Sequence, residues 1–117
     1  MNSLNTPFSI NPEVENALSK KRPVLALEST IIAHGKPHPE NIEFAKQAET
    51  LARKHGVTPA TIAIIDGKIH IGLDARQLEV LANSKDVEKI ATRDIAFAVA
   101  QKLTGATTVS ATMHLAH

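Results

Sequence analysis

The stretch ATIAIIDGKIHIGL, residues 60–73, joins two apolar or alternating runs through Asp66-Gly67. Asp-Gly readily adopts the two positive backbone angles of a two-residue hairpin turn, so the spacing predicts antiparallel strands near 60–65 and 68–72. The segments on either side carry helical periodicity instead. From Pro39 to His55, Ile42, Ala45, Ala48, Leu51 and Ala52 recur at three- and four-residue spacing, and Gly56 follows as a stop. DARQLEVLANS (74–84) predicts a short helix with Leu78 and Leu81 inward, VEKIAT (87–92) a strand, and RDIAFAVAQKL (93–103) a helix closed by Gly105.

Towards the N-terminus, a loose lead of about ten residues precedes a helix that starts with Asn11 as cap, Pro12 at its first position, and Val14, Ala17 and Leu18 on one face. The run RPVLALES (22–29) suits a strand buried on both faces. Gly35, Pro37 and Pro39 in the following TIIAHGKPHPE (30–40) predict a loop. Strand and helix thus alternate, which argues for an α/β fold whose sheet the hairpin makes mixed.

At the far end, GATTVSATMHLAH (105–117) supplies Thr107 or Thr108 as a cap and then an apolar helical pattern that simply stops. It reads as a helix cut in its middle. The expectation is one domain, or a piece of one, over residues 1–117.

Composition narrows the function classes. Thirteen basic and twelve acidic residues leave a formal charge of +1, so no broad field attracts nucleic acid or an anionic membrane. Aromatic residues make up 3% of the chain, without Trp or Tyr, which leaves no platform for stacking bases. With no cysteine there is no disulfide framework or thiolate metal site, in keeping with a cytoplasmic setting. No apolar run approaches the roughly 20 residues a membrane span needs. P-loop, dinucleotide-glycine and Gly-x-Ser-x-Gly motifs are all absent from the sequence.

Glu28 is the first candidate for chemistry, because it ends an apolar strand where open α/β sheets bind ligands. A partly desolvated carboxyl there suits general acid or base work, although a Glu can also cap a sheet edge or pair with a nearby Lys. Thr107 and Thr108 make a hydroxyl-rich helix start that suits phosphate or carboxylate, or serves as a plain cap. Lys89 and Arg93 flank KIATRD (89–94) and could each meet an anion. Lys20, Lys21 and Arg22 fall at a helix end and read as structural. Among six histidines, His34 and His38 straddle Pro37, and His114 and His117 share a terminal helix; neither pair makes a good metal site.

Four phrases together, ALESTIIAHGKPHPEN (26–41), VTPATIAIIDGKIHIGL (57–73), VEKIATRDI (87–95) and GATTVSATM (105–113), resemble the pseudouridine-5'-phosphate glycosidase family, which includes proteins named for indigoidine biosynthesis. The resemblance implies a three-layer α/β/α sandwich with a mixed sheet, incomplete in this chain. It also implies a cytoplasmic homotrimer that reversibly cleaves pseudouridine 5'-phosphate to uracil and ribose 5-phosphate with a divalent metal, manganese.

Carried onto this sequence, the resemblance makes Glu28 the proton donor and Lys89 and Val109 substrate contacts. The family's metal-binding Asp and its Schiff-base Lys follow the ATM helix, and no counterpart occurs here. The expectation is therefore an N-terminal portion that is inactive alone. The alternatives are a non-catalytic module binding a phosphorylated ligand, or one half of a split enzyme.

Overall fold

The computed structural model describes residues 6–117. In chain order the elements are β1 (Phe8–Ile10), α1 (Pro12–Ser19), β2 (Val24–Leu27), a π-helical turn (Ile31–Gly35), α2 (Glu40–Lys54), β3 (Thr58–Ile65), β4 (Lys68–Ile71), α3 (Ala75–Asn83), β5 (Glu88–Ile90), a 3-10 turn (Thr92–Asp94), α4 (Ile95–Ala100), β6 (Gly105–Thr107) and α5 (Val109–Ala116). All six strands join one mixed sheet in the order β1-β4-β3-β6-β5, with β2 attached to β3.

The hairpin that decides the architecture forms as its sequence dictates. Ile65 pairs with Lys68, and Asp66 and Gly67 take φ of 50° and 77° in the two-residue loop. Gly67 is required twice over, since a Cβ there would lie 2.7 Å from the Lys102 Cα. β3 is the central strand, buried along nearly its whole length.

Alternate residues of β3 feed two cores. On one face Ala63 and Ala106 pack with Ile42, Ala45, Leu78 and Leu81 of α2 and α3; on the other, Ile64, Ile69 and Ile90 pack with Ala98 of α4 and, at the margin, Leu115 of α5. The result is the expected α/β/α layering. Helix starts follow the sequence signals: Asn11 Oδ1 accepts the Glu13 N–H at 2.8 Å ahead of Pro12, and Asp74 caps α3 in a reciprocal box with Gln77.

Several expectations are corrected. Of the ten-residue lead, residues 1–5 lie outside the described residues, and Phe8–Ile10 are not loose but form β1, which pairs in parallel with β4, Phe8 opposite Ile69. β2 is not buried on both faces: it pairs only with β3 among the described strands, and Leu25 is 46% exposed. Residues 31–35 form a π-helical turn, since the prolines that forbid regular structure begin only at Pro37.

In α2 the inward stripe runs through Ile42, Ala45, Glu49 and Ala52, leaving Leu51 56% exposed. Glu49 tolerates that burial because the Thr61 hydroxyl donates to its Oε2 at 2.7 Å and Arg53 lies 3.6 Å from its Oε1. Gly105 does not close α4, which ends at Ala100; it opens β6, and a Cβ there would collide with the Ile90 side chain.

Candidate active site

Two strands meet end to end along one flank of β3. β2 runs parallel to the first half of β3, Leu27 opposite Thr61, while β6 runs antiparallel to the second half, Ala106 opposite Ala63. Their carboxyl ends therefore converge beside Ile62. Ser29 splices them: its N–H donates to the Thr107 carbonyl at 3.1 Å, and its Oγ accepts the Thr107 N–H at 2.8 Å. At the gap between the two strands, the Ile62 carbonyl accepts the Ser29 hydroxyl at 2.6 Å and the Thr107 hydroxyl at 2.7 Å.

This splice fixes the neighbouring residues. Glu28, half-buried, follows β2 directly, and its Oε2 accepts the Thr30 N–H at 3.0 Å. Thr108 follows β6 and caps α5, its hydroxyl accepting the Ala111 N–H at 3.3 Å, so Val109 occupies the first helical position. A hollow of about 530 Å³ lies between the end of β2 and α5, lined by Glu28, Ala26, Leu27, Val109, Thr112 and Met113 among others. Glu28 also borders a smaller hollow, about 180 Å³, with Leu27, Ile31, Phe44, Ala48 and Thr61. A carboxyl thus stands at the rim of apolar walls, opposite a helix start whose first N–H groups lack partners within the helix.

Of the residues singled out from sequence, Glu28 and Val109 line one hollow. Lys89 does not line it: it is exposed on β5, paired with Ala106 one strand further out. Thr107 is not the cap but a fully buried residue of β6, and Thr108 takes the capping role. Arg93 is 89% exposed beside Asp94 at 4.0 Å, and Lys20, Lys21 and Arg22 are exposed just past α1. His34, His38, His114 and His117 are exposed, and His117 borders the larger hollow.

No group of three or more His, Asp or Glu among the described residues is placed to hold a metal ion. The manganese implied by the resemblance therefore finds no donor set in them.

Sequence reading missed Ser29, Thr112 and Asn41. Asn41 is buried, and its amide donates to the Ile32 carbonyl at 3.0 Å and the Ala82 carbonyl at 2.9 Å, tying the turn after Glu28 to α3. Only the clustering of polar residues in otherwise apolar runs signalled them. A separate hollow of about 440 Å³ carries Glu13, Lys46, Glu49, Arg53 and Asp74. Its charges are largely spent on one another: Arg53 donates twice to Glu13 at 2.9 Å, which holds that carboxyl below its usual range and raises Arg53 in turn.

Comparisons with known proteins bear on the family and the fold. The chain is 53% identical over 113 residues to a pseudouridine-5'-phosphate glycosidase of Staphylococcus aureus strain MW2, covering 97% of this chain and 37% of that protein. It is 56% identical over 113 residues to the protein of the same name from Roseobacter denitrificans, with coverage of 97% and 36%. The chain thus spans little more than a third of the length of these relatives.

Among solved structures, a prealnumycin C-glycosynthase in complex with ribulose 5-phosphate superposes with a TM-score of 0.82 at 38% identity, over 93% of this chain and 35% of that one. An indigoidine synthase A-like protein of Thermotoga maritima gives 0.82 at 32% identity, over 99% and 38%. Residues 13–117 match the family described as Indigoidine synthase A like protein, and the chain belongs to that family.

Proposed function

We propose that this chain forms the acid-bearing part of a pseudouridine-5'-phosphate glycosidase, which reversibly cleaves the carbon–carbon glycosidic bond to release uracil and ribose 5-phosphate. The observation that carries the reading is the placement of Glu28 and the α5 start across one hollow, in a chain about half identical to proteins of that name.

Breaking a carbon–carbon bond leaves electron density on the departing uracil carbon, which must be protonated there. The Glu28 carboxyl supplies that proton and takes it back in the reverse direction. Val109 contributes its position at the first turn of α5, where backbone N–H groups can receive an anionic or carbonyl oxygen. Lys89 meets the substrate's phosphate from the neighbouring strand as a side-chain cation. Ribulose 5-phosphate in a structural neighbour supports a sugar phosphate as the ligand class. Manganese, the homotrimer and the cytoplasmic setting are the family's expected context; no step here passes through the metal.

The nucleophile and metal ligand have no counterpart in these residues, so the chain alone binds the substrate without turning it over. Calorimetric titration with pseudouridine 5'-phosphate, followed by an assay for free uracil with manganese present, is the test. Saturable heat without uracil supports the reading, and absence of binding overturns it. Release of uracil overturns the inactivity of the chain alone. A second arrangement is one half of a split enzyme, with the remaining residues supplied by a separate polypeptide. Co-expression with a polypeptide equivalent to the remainder of a relative restores uracil release if that holds, whereas a pure binding module gains none.

A further inference from the structure

The hydroxyls at the splice form a one-way chain. Ser29 and Thr107 each have a single hydroxyl proton, and both protons point at the Ile62 carbonyl. Thr112 Oγ1 lies 2.8 Å from Thr107 Oγ1. With the Thr107 proton already committed, the hydrogen on that contact comes from Thr112. The order of donation is therefore Thr112 to Thr107 to Ile62.

Thr112 is 4% exposed and lines the hollow that Glu28 borders. Its proton is spent inwards, and no other side-chain or backbone donor among the described residues meets its oxygen. What it retains is acceptor capacity alone. Besides Glu28 and His117, the rest of the wall is Ala26, Leu27, Val109, Met113 and Ala116, which offer no side-chain polar group.

We propose that Thr112 is a specificity-determining residue of this hollow: a hydrogen-bond acceptor, fixed in polarity by Thr107, that receives an N–H of a neutral heterocyclic ring. A ring lacking an N–H on that edge leaves the acceptor unpaired in an apolar wall and is rejected. The choice of uracil as the ring rests on the glycosidase reading; the polarity of Thr112 rests on the hydrogen bonds.

The test uses the full chain and two probes, uracil and 1,3-dimethyluracil, titrated by amide chemical shifts. Wild type is expected to prefer uracil. Thr112→Val, which keeps the shape and removes the hydroxyl, should weaken uracil about five- to tenfold and leave dimethyluracil unchanged. Thr112→Ser should stay within about twofold of wild type, because its hydroxyl can still reach Thr107. A wild-type chain without the preference, or a preference that survives in Thr112→Val, overturns the assignment. Ribose 5-phosphate, titrated in parallel, tests the glycosidase reading separately: its binding at Val109 does not depend on the Thr112 hydroxyl.

Discussion

Ser29 and Thr107, 78 residues apart in sequence, are joined by two reciprocal backbone-directed hydrogen bonds, Ser29 N–H to the Thr107 carbonyl and Thr107 N–H to Ser29 Oγ. The side chain of one strand's successor thereby stands in for a missing rung of the ladder. Ser29→Ala removes that acceptor and leaves a buried N–H without a partner, which should cost about 1–3 kcal/mol of stability. Urea unfolding measures it, and a loss below about 0.5 kcal/mol would show the splice to be dispensable.

Gly105 holds β5 and β6 together by having no side chain. A Cβ at that position would strike the Ile90 side chain and come within 3.2 Å of the Glu88 carbonyl. Because Ile90 is itself buried, Gly105→Ala should destabilise by about 1–3 kcal/mol through overpacking. Gly56, whose surroundings are open, provides the contrast: any cost of Gly56→Ala comes from its φ of 76° and not from a clash.

His70 should give the fold a pH dependence. Burial lowers its pKa from the ordinary 6.5, the Lys68 charge adds to that, and Asp74 opposes it. Gln77 Oε1 accepts the Asp74 N–H at 2.9 Å, so its amide nitrogen faces His70 Nδ1 at 3.3 Å and the ring accepts there in its neutral form. The folded chain thus binds the His70 proton less tightly than the unfolded chain. This contribution is complete above pH 6.5 and is lost as pH falls through the lowered folded value. Denaturation midpoints from pH 7.5 down to 5 should fall in wild type and fall less in His70→Gln.

Asn41 anchors the π-helical turn that follows Glu28. Asn41→Leu fills similar space but strands the Ile32 and Ala82 carbonyls, at a cost of about 1–3 kcal/mol. Hydrogen exchange at Ile32 and Ala33, whose N–H groups bond to the Ser29 carbonyl, should accelerate more than exchange along β4. Equal acceleration everywhere would mean that Asn41 serves the whole core and not this turn.

Glu28→Gln separates fold from chemistry. The amide oxygen can still accept the Thr30 N–H, so the melting temperature should hold. An amide has no proton of suitable acidity to deliver, and in the assembled enzyme uracil release should drop at least about 100-fold. Undiminished release would assign the acid elsewhere.

What was legible in the sequence tracks how locally each element is determined. The Asp66-Gly67 hairpin, the Asn11-Pro12 helix start and the long α2 carry their own turn, cap or period, and each forms as expected. β1 and β6 are three residues each, too short to show a period, and exist because β4, β3 and β5 offer them ladders. The buried Glu49 broke the apolar stripe because its partner Thr61 lies on another element. Glu28 and Val109 could be named from phrases of sequence. That they share a hollow, with Lys89 one strand away from it, required the end-to-end meeting of β2 and β6.

That meeting has a consequence for how the molecule comes into being. Residues 24–29, 58–65 and 105–109 must all be in place before the hollow exists, so it arises from contacts distant along the chain, which form slowly. During synthesis Glu28 leaves the ribosome some eighty residues before the partners that give it a setting. Until β6 arrives, the Ile62 carbonyl and Ser29 hydroxyl have each other, but the second donor to that carbonyl and the N–H that Ser29 Oγ accepts, both from Thr107, are missing.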